Sequence, residues 1–160
     1  MDTATQTVSS NRLNTRALLR ALAEGWLAYL PALRALPAGE VHVYLAEQGY
    51  ELRQDLLAHI TAWCEETLGV VPVLLKGGEV SSGRRDDGDQ SYTAQAVARS
   101  RNFGSGEVER RFTQAHAALA RMLAFLPEAA LEDINVYGWL YTTIVEHFNA
   151  HRPPNLPALP

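Results

Sequence analysis

Residues 52–68, LRQDLLAHITAWCEETL, combine a helix-forming pattern with a polar residue in an apolar position. Leu52, Leu56 and Ile60 recur every four residues, the spacing of an amphipathic helix that buries one face. His59 lies on that stripe, where a helical protein would normally place Leu or Ile. Because a buried polar group without a partner costs on the order of 1–3 kcal/mol, the pattern predicts a core-facing imidazole with a specific partner.

A second stretch, residues 140–151 with the sequence LYTTIVEHFNAH, repeats this combination. The apolar stripe through Ile144 continues into His147 and His151, and residues four apart lie about 40° apart around a helix. Both imidazoles are therefore expected to point the same way, as ligands of one divalent metal shared with the histidine of the first stretch. The alternative is a pair of surface histidines, whose positive charge is favoured near a helix C-terminus.

The histidine of the first stretch favours the metal. A His-x-x-x-His pair alone often occurs by chance, but His59 comes from another helix, and helical bundles bind metals with side chains from facing helices. Three protein ligands would leave coordination positions open, as in catalytic zinc sites. The segments HITAW and HFNAH lack a Glu after the first His, which disfavours a zinc peptidase, and the chain has no phosphate loop and no GxGxxG.

Composition and charge are those of an ordinary globular protein. The chain has 160 residues, 47% hydrophobic and 20% charged, which is enough for one domain with a substantial core. A net charge of −4 without a basic block argues against a nucleic-acid partner. The sequence has no run of about 18 apolar residues and no apolar signal-peptide core in residues 1–12, so no membrane association is expected. With a single cysteine, Cys64, we expect a cytoplasmic protein.

Hydrophobic periodicity predicts four long amphipathic helices and no β-strand. Pro31 is expected to kink or split the first helix, and Ser105 to cap the third. Asp133 or Asn135 is expected to cap the fourth. The predicted helices run from about Arg12 to Leu36, from Leu52 to Leu68 with a continuation after Pro72 to Lys76, from Gly106 to Leu126, and up to His151. Between them lie a connection at 40–50, a polar loop at 77–91 and a short helix at 92–102.

The long connection between the second and third helices allows them to run parallel. The predicted fold class is therefore all-α, a four-helix bundle with a long crossover between helices 2 and 3. The bundle is expected to span residues 12–152, between a disordered N-terminus at 1–11 and an extended, Pro-rich tail at 153–160. Residues 77–91 have almost no apolar content, which is typical of a solvated connector or of a lid over open metal positions.

Several residues near the histidines have simpler interpretations. Cys64 lies about 140° around the helix from His59, so it is interpreted as a structural cysteine rather than a nucleophile. Glu65 and Glu66 fit a solvated helix face better than carboxylates that orient an imidazole. Glu146 directly precedes a predicted ligand and so points about 100° away from it, which makes it a poor ligand.

Two further histidines are interpreted as bystanders, because His42 lies in a connection and His116 is one position off the stripe of the third helix. Trp63, one turn after His59, is expected to pack beside it in the core. No catalytic acid or base is evident, so the catalytic residues are not assigned. The remaining possible pocket residues are Tyr44, Tyr92, Tyr137, Tyr141 and Asn149.

Three segments, covering roughly Leu18 to Arg152, together resemble the DinB-like superfamily of bacterial four-helix proteins. Residues 49–68, GYELRQDLLAHITAWCEETL, resemble its second helix, in which an apolar pair precedes a histidine and an aromatic residue follows one turn later. Residues 96–127, AVARSRNFGSGEVERRFTQAHAALARMLAFLP, are similar to its crossover and third helix. INVYGWLYTTIVEHFNAHRP, at residues 134–153, resembles its fourth helix.

The resemblance implies a divalent metal, nickel or zinc, held by one histidine of the second helix and two of the fourth. The matching positions are His59, His147 and His151. It also implies a metal-dependent enzyme with a small-molecule substrate, such as a transferase or isomerase that uses a low-molecular-weight thiol, or a hydrolase. The alternative is a non-enzymatic protein of the same fold that binds a small ligand or self-associates.

A homodimer is also expected, because bundles of this family often associate side by side. Trp26, Tyr29 and Leu30 of the first helix were the apolar side chains expected to exceed what the core needs.

Overall fold

The computed structural model describes residues 11–80 and 87–160, and within these ranges it is helical without strands. The all-α prediction is therefore confirmed for the described residues. Residues 1–10 of the N-terminus predicted to be disordered lie outside them, and so do residues 81–86 of the loop at 77–91 that was a candidate lid. The helices are α1 Thr15–Glu24, α2 Trp26–Ala35, α3 Ala38–Glu47, α4 Arg53–Leu75, α5 Asp87–Ser100, α6 Ser105–Phe125, α7 Ile134–Tyr141 and α8 His147–His151. A 3₁₀ turn, Glu128–Glu132, precedes α7, and a π-helical turn, Thr142–Glu146, joins α7 to α8.

The predicted first helix breaks at Gly25 and not at Pro31, which lies exposed inside α2. A Cβ atom on Gly25 would lie 3.0 Å from Cδ1 of Leu159 and 3.1 Å from Cδ2 of Phe148. The absence of a side chain lets the backbone approach α8 and the C-terminal tail closely. The tail is held there because Leu159 is buried and exchanges two hydrogen bonds, of 2.8 and 3.0 Å, with the side chain of Asn149.

Residues 38–47, predicted as part of a connection, form helix α3. The helix ends at Glu47 and is followed by Gly49, which has φ +81°. The N–H of Tyr50 donates to the carbonyl of Leu45 at 2.9 Å. This is the glycine-terminated C-cap that a left-handed backbone position allows. The prediction of a connection was wrong because these residues form a short helix that buries Tyr44 and Leu45 in the core.

Helix α4 packs against α5, α6 and α7 and so lies at the centre of the fold. It continues through Pro72 without a break, and Leu56 and Ile60 of the predicted stripe are buried. Leu52 is instead the N-cap and is 50% exposed. Helix α5 begins at Asp87, so the predicted loop at 77–91 is shorter than expected.

The predicted helix caps are partly correct. Oδ1 of Asp133 accepts hydrogen bonds from the N–H groups of Asn135 and Val136 at 2.8 and 3.3 Å, which confirms the aspartate as the cap of α7. The cap of α6 is Gly104, and Ser105 is already the first helical residue.

All eight described helices contribute to one hydrophobic core. Trp26, Tyr29 and Leu30, expected to supply surplus surface for a dimer, are buried in it, so that basis for a dimer was wrong. None of the described helices is both long enough and apolar enough to span a membrane.

Candidate metal centre

Three imidazoles from two helices converge on one point. Nε2 of His59 on α4 lies 3.2 Å from Nε2 of His147 and 3.2 Å from Nε2 of His151, which are both on α8. The potential ligand atoms of the three side chains all lie within 4.8 Å of one another, and the three side chains are partly buried. The fold thus brings together the three residues that the sequence predicted to share a metal.

The spacing of these nitrogens suits a divalent metal. A metal–nitrogen bond is about 2.0–2.1 Å long, so two nitrogens bound at angles of about 90–110° are separated by roughly 2.9–3.4 Å. The two 3.2 Å separations from His59 fall in that range. Hydrogen bonds alone explain the arrangement less well, because a neutral His59 has at most one Nε2 proton for two neighbours. The three histidines could hold a metal ion through Nε2.

Helix α3 holds His151 from two sides. The side-chain oxygen of Gln48 lies 2.6 Å from Nδ1 of His151, so Nδ1 donates and the lone pair remains on Nε2. The backbone carbonyl of His151 accepts a hydrogen bond from the hydroxyl of Tyr44, which in turn accepts one from Tyr29 at 2.6 Å. The sequence does not predict the contacts of Tyr44 or Gln48 with His151, because no spacing rule connects a helix at 38–47 with one at 147–151.

The π-helical turn sets the surroundings of His147. Its backbone N–H donates to the carbonyl of Thr142, five residues earlier, instead of to that of Thr143. The carbonyl of Thr143 is free to accept the indole N–H of Trp26 at 3.0 Å. Trp26 and Trp63 then pack against the His147 ring, with centroid distances of 5.8 and 5.3 Å. Trp63 was expected beside His59 in the core, whereas the ring contact that the structure shows at the cluster is with His147, and Trp63 is partly exposed. π-Turns of this kind are frequent at functional sites.

Burial keeps the three imidazoles in the form that binds metals. Removal from water lowers the pKa of His59 and of His151 to about 4, and the nearby His59 adds to the effect on His151. The same burial lowers the pKa of His147 well below its usual value, with a further contribution from the surrounding histidines. At neutral pH all three therefore present an uncharged ring.

His116 lies outside the group of three histidines, as expected for a bystander, but it is buried in the core. The side chain is 1% exposed and lies 5.0 Å from Trp26, ring centroid to ring centroid, in a stacked arrangement. Its Nδ1 donates to the carbonyl of Phe112 at 2.8 Å, so Nε2 carries a lone pair, and this buried atom has no partner among the described residues. Burial lowers its pKa to about 4. The buried face of α6 is therefore wide enough to include His116, which lies one position off the predicted apolar stripe.

The other sequence candidates lie outside the centre. Cys64 is fully buried, and burial raises the pKa of its thiol, which supports a structural role. Glu65 is exposed, and Glu146 accepts a hydrogen bond from the hydroxyl of Thr142 at 2.7 Å. His42 is exposed, as expected for a bystander.

The remaining pocket candidates have other contacts. The rings of Tyr137 and Tyr141 stack at 5.6 Å, the Tyr137 hydroxyl accepts a hydrogen bond from the N–H of Leu13 at 3.1 Å, and Asn149 binds the tail. Tyr50, which sequence analysis did not single out, lies with its ring 5.9 Å from that of His59.

An open cavity of about 470 Å³ reaches the three-histidine cluster at His59. Its wall is formed by α4, α5 and Tyr50. A smaller cavity of about 60 Å³, between α4, α5 and α6, contains none of the three histidines. The larger cavity is therefore the approach to the centre that the described residues show.

No protein-family model, curated protein or solved structure matches the chain.

Proposed function

We propose that the protein is a metal-dependent enzyme of the DinB-like superfamily, with His59, His147 and His151 as the ligands of one divalent ion. The observation that carries the proposal is the convergence of three Nε2 atoms from two helices distant in sequence, with that of His59 3.2 Å from each of the other two. Zinc and nickel are the preferred ions, because neutral imidazole is a good ligand for both. The proposed fold is a four-helix bundle built from α1–α2, α4, α6 and α7–α8.

The surroundings of the histidines support a catalytic rather than a purely structural centre. Structural zinc sites are closed by four protein ligands, whereas three ligands leave positions for water or substrate. The cavity beside His59 gives these positions access to solvent. A bound divalent metal would supply Lewis acidity and lower the pKa of a water or thiol. The protein's own part is to orient the rings, through Gln48 for His151 and through the packing of Trp26 and Trp63 for His147.

The proposed reaction is the transfer or isomerisation of a small substrate that uses a low-molecular-weight thiol, or a hydrolysis. This part of the proposal is supported by the sequence resemblance and by the coordination positions that three protein ligands would leave open next to the cavity. We also propose a homodimer, on the resemblance, and a cytoplasmic location, on the single cysteine. The alternative is a non-enzymatic bundle that binds a small ligand at the same centre or self-associates.

The first test is the metal content of protein purified without an affinity tag. We expect about one equivalent of zinc or nickel in the wild type. His59→Ala and His151→Ala should each lose most of it, whereas His42→Ala, which removes an exposed histidine, should keep it. Wild-type protein that takes up no divalent ion after dialysis against either metal would contradict the proposal.

The second test separates the enzyme from the binding protein. Metal-loaded wild type and His147→Ala should be screened for conjugation of several low-molecular-weight thiols to electrophilic small molecules, and for ester hydrolysis. Turnover that requires the metal and is lost in the variant supports the enzyme. Metal-dependent ligand binding without turnover supports the alternative. Light scattering at tens of micromolar protein tests the dimer separately, since a monomer mass would contradict it.

A further inference from the structure

The cavity beside His59 is lined unevenly. One side is an apolar wall formed by the small side chains of Ala94, Val97 and Ala98 of α5. The rest of its lining consists of His59 itself, Tyr50, Thr93 and Arg101, and none of the described residues that line it is acidic. A volume of about 470 Å³ is in the usual range for small-molecule sites. The cavity therefore offers space for a short apolar body and polar donors at its edge.

The charge of the proposed centre favours an anion in this space. Three uncharged imidazoles leave the double positive charge of a divalent ion uncompensated, and no described carboxylate belongs to the ligand cluster. A low-dielectric cavity wall strengthens the attraction for a negatively charged ligand. A cationic ligand would be repelled by both the ion and the guanidinium of Arg101.

Arg101 is held so that it can bind such a ligand. Its Nη2 donates to Oδ2 of Asp55 at 3.3 Å, and the arginine side chain remains largely exposed. Asp55 is only 5% exposed and lies one helical turn before His59, so the ion pair anchors the guanidinium beside the ligand helix. A guanidinium has five N–H donors, and one contact with the carboxylate leaves most of the fork available to an oxyanion.

The hydroxyl of Tyr50 adds a second donor to the lining. Its ring lies against His59 and lines the cavity. A phenol hydroxyl can donate a hydrogen bond to an oxyanion.

From this arrangement we infer that the cavity beside His59 is the substrate site and binds a small organic oxyanion, with Arg101 as the residue that determines this specificity. The oxyanion is a carboxylate or a phosphate ester, its head lies at Arg101, and its short apolar body lies on the alanine and valine wall of α5. The inference rests on the proposed metal centre and assigns its substrate class.

The test uses the cobalt(II) form of the full-length protein, whose visible spectrum reports changes at the metal. The probes are butyrate, butyl phosphate, butanol and butylammonium, which share a four-carbon chain and differ in the charge and shape of the head. We expect butyrate or butyl phosphate to change the spectrum at concentrations at least tenfold below butanol, and butylammonium to have no effect. The better of the two anions identifies the head group.

Three variants test whether the effect is due to Arg101. Arg101→Gln should raise the dissociation constant of the anion at least tenfold while the cobalt content stays unchanged. The matched control is Arg99→Gln, which removes an exposed positive charge from the same segment and should change the constant less than twofold. Arg101→Lys keeps the charge beside Asp55 and should bind with intermediate strength, because it loses the planar fork. Circular dichroism confirms that the variants are folded.

The outcomes separate this inference from the proposed function. A wild type that binds no cobalt overturns the metal centre and the anion site together. A normal cobalt spectrum that no anion changes, or that butanol changes equally, overturns the anion site alone. Equal weakening by Arg101→Gln and Arg99→Gln also overturns it, because the effect would then be one of net charge.

Discussion

Nδ1 of His151 donates a hydrogen bond of 2.6 Å to the side-chain oxygen of Gln48. An amide oxygen can only accept, so this contact selects the imidazole tautomer whose free lone pair is on Nε2, the atom that faces His59. The bond links α3, which contributes no metal ligand, to the end of α8. Groups that orient a metal-binding histidine in this way affect metal affinity although they do not touch the ion.

The first prediction concerns this orienting contact. Gln48→Met keeps the length of the side chain but removes the strong acceptor, so the His151 ring loses its fixed tautomer. We expect the dissociation constant for zinc to rise about 10- to 100-fold, measured by competition with a chromophoric chelator. Gln114→Met, at an exposed position on α6, is the control and should bind zinc as the wild type does. Equal affinities in the two variants would mean that Gln48 does not orient the ligand.

A second prediction concerns stability, because a metal that binds only the folded state stabilises it by mass action. At a free metal concentration about 100 times the dissociation constant, the gain is about 2.7 kcal/mol, or roughly 5–10 °C in a domain of this size. Stripping the metal with a chelator should therefore lower the melting temperature of the wild type and of His42→Ala. His151→Ala should not respond. A wild-type melting curve that stays unchanged after confirmed metal loss would count against a site of useful affinity.

A third prediction concerns the pH dependence of folding through His116. Its folded-state pKa of about 4 lies below the unfolded value of about 6.5, so the unfolded chain binds the proton more readily. The stability that the neutral ring contributes is present above pH 6.5 and is lost as the pH falls towards 4. His116→Phe removes this dependence.

The measurement is urea unfolding of chelator-treated protein at pH 7.5 and pH 4.5. We expect the loss of unfolding free energy between the two pH values to be about 2–3 kcal/mol smaller in His116→Phe than in the wild type. His42→Ala should lose as much as the wild type, because its imidazole is exposed. An equal loss in His116→Phe would show that the buried ring is not kept neutral by the fold.

A fourth prediction concerns the close approach at Gly25. A Cβ atom there would meet Leu159 at 3.0 Å and Phe148 at 3.1 Å, and crowding of this kind costs about 1–3 kcal/mol. That cost exceeds the gain of about 0.4–1 kcal/mol from restricting the unfolded chain. Gly25→Ala should therefore be less stable than the wild type in urea unfolding. Gly39→Ala, in α3 with no atom within 4 Å of the added carbon, should be slightly more stable.

The sequence by itself was sufficient for the helical class and for the three candidate ligands. Both follow from local periodicity, since a stripe of apolar residues interrupted by histidines at helical spacing specifies which side chains share a buried face. His59, His147 and His151 could be chosen without knowing how the helices pack, because each position is defined by its own helix.

Elements that depend on contacts between distant segments were predicted less well. The helix at residues 38–47 is not predicted by the sequence, because ten residues are too few to show a clear period. The helix is stabilised by the burial of Tyr44 and Leu45. The break at Gly25 was assigned to Pro31, because a proline is a local signal, whereas the crowding by Leu159 is visible only in three dimensions.

The surroundings of the centre were decided by tertiary structure alone. Gln48 contacts His151 and Arg101 contacts Asp55 on the helix of His59, and no interval in the sequence relates either residue to the histidines. The π-helical turn that frees a carbonyl for Trp26 likewise depends on the packing of α1 and α2 against the last helices. The ligand set is thus encoded in the periodicity of two helices, whereas its orientation, protonation and access arise from the packing of the others, because burial and long-range hydrogen bonds exist only in the folded chain.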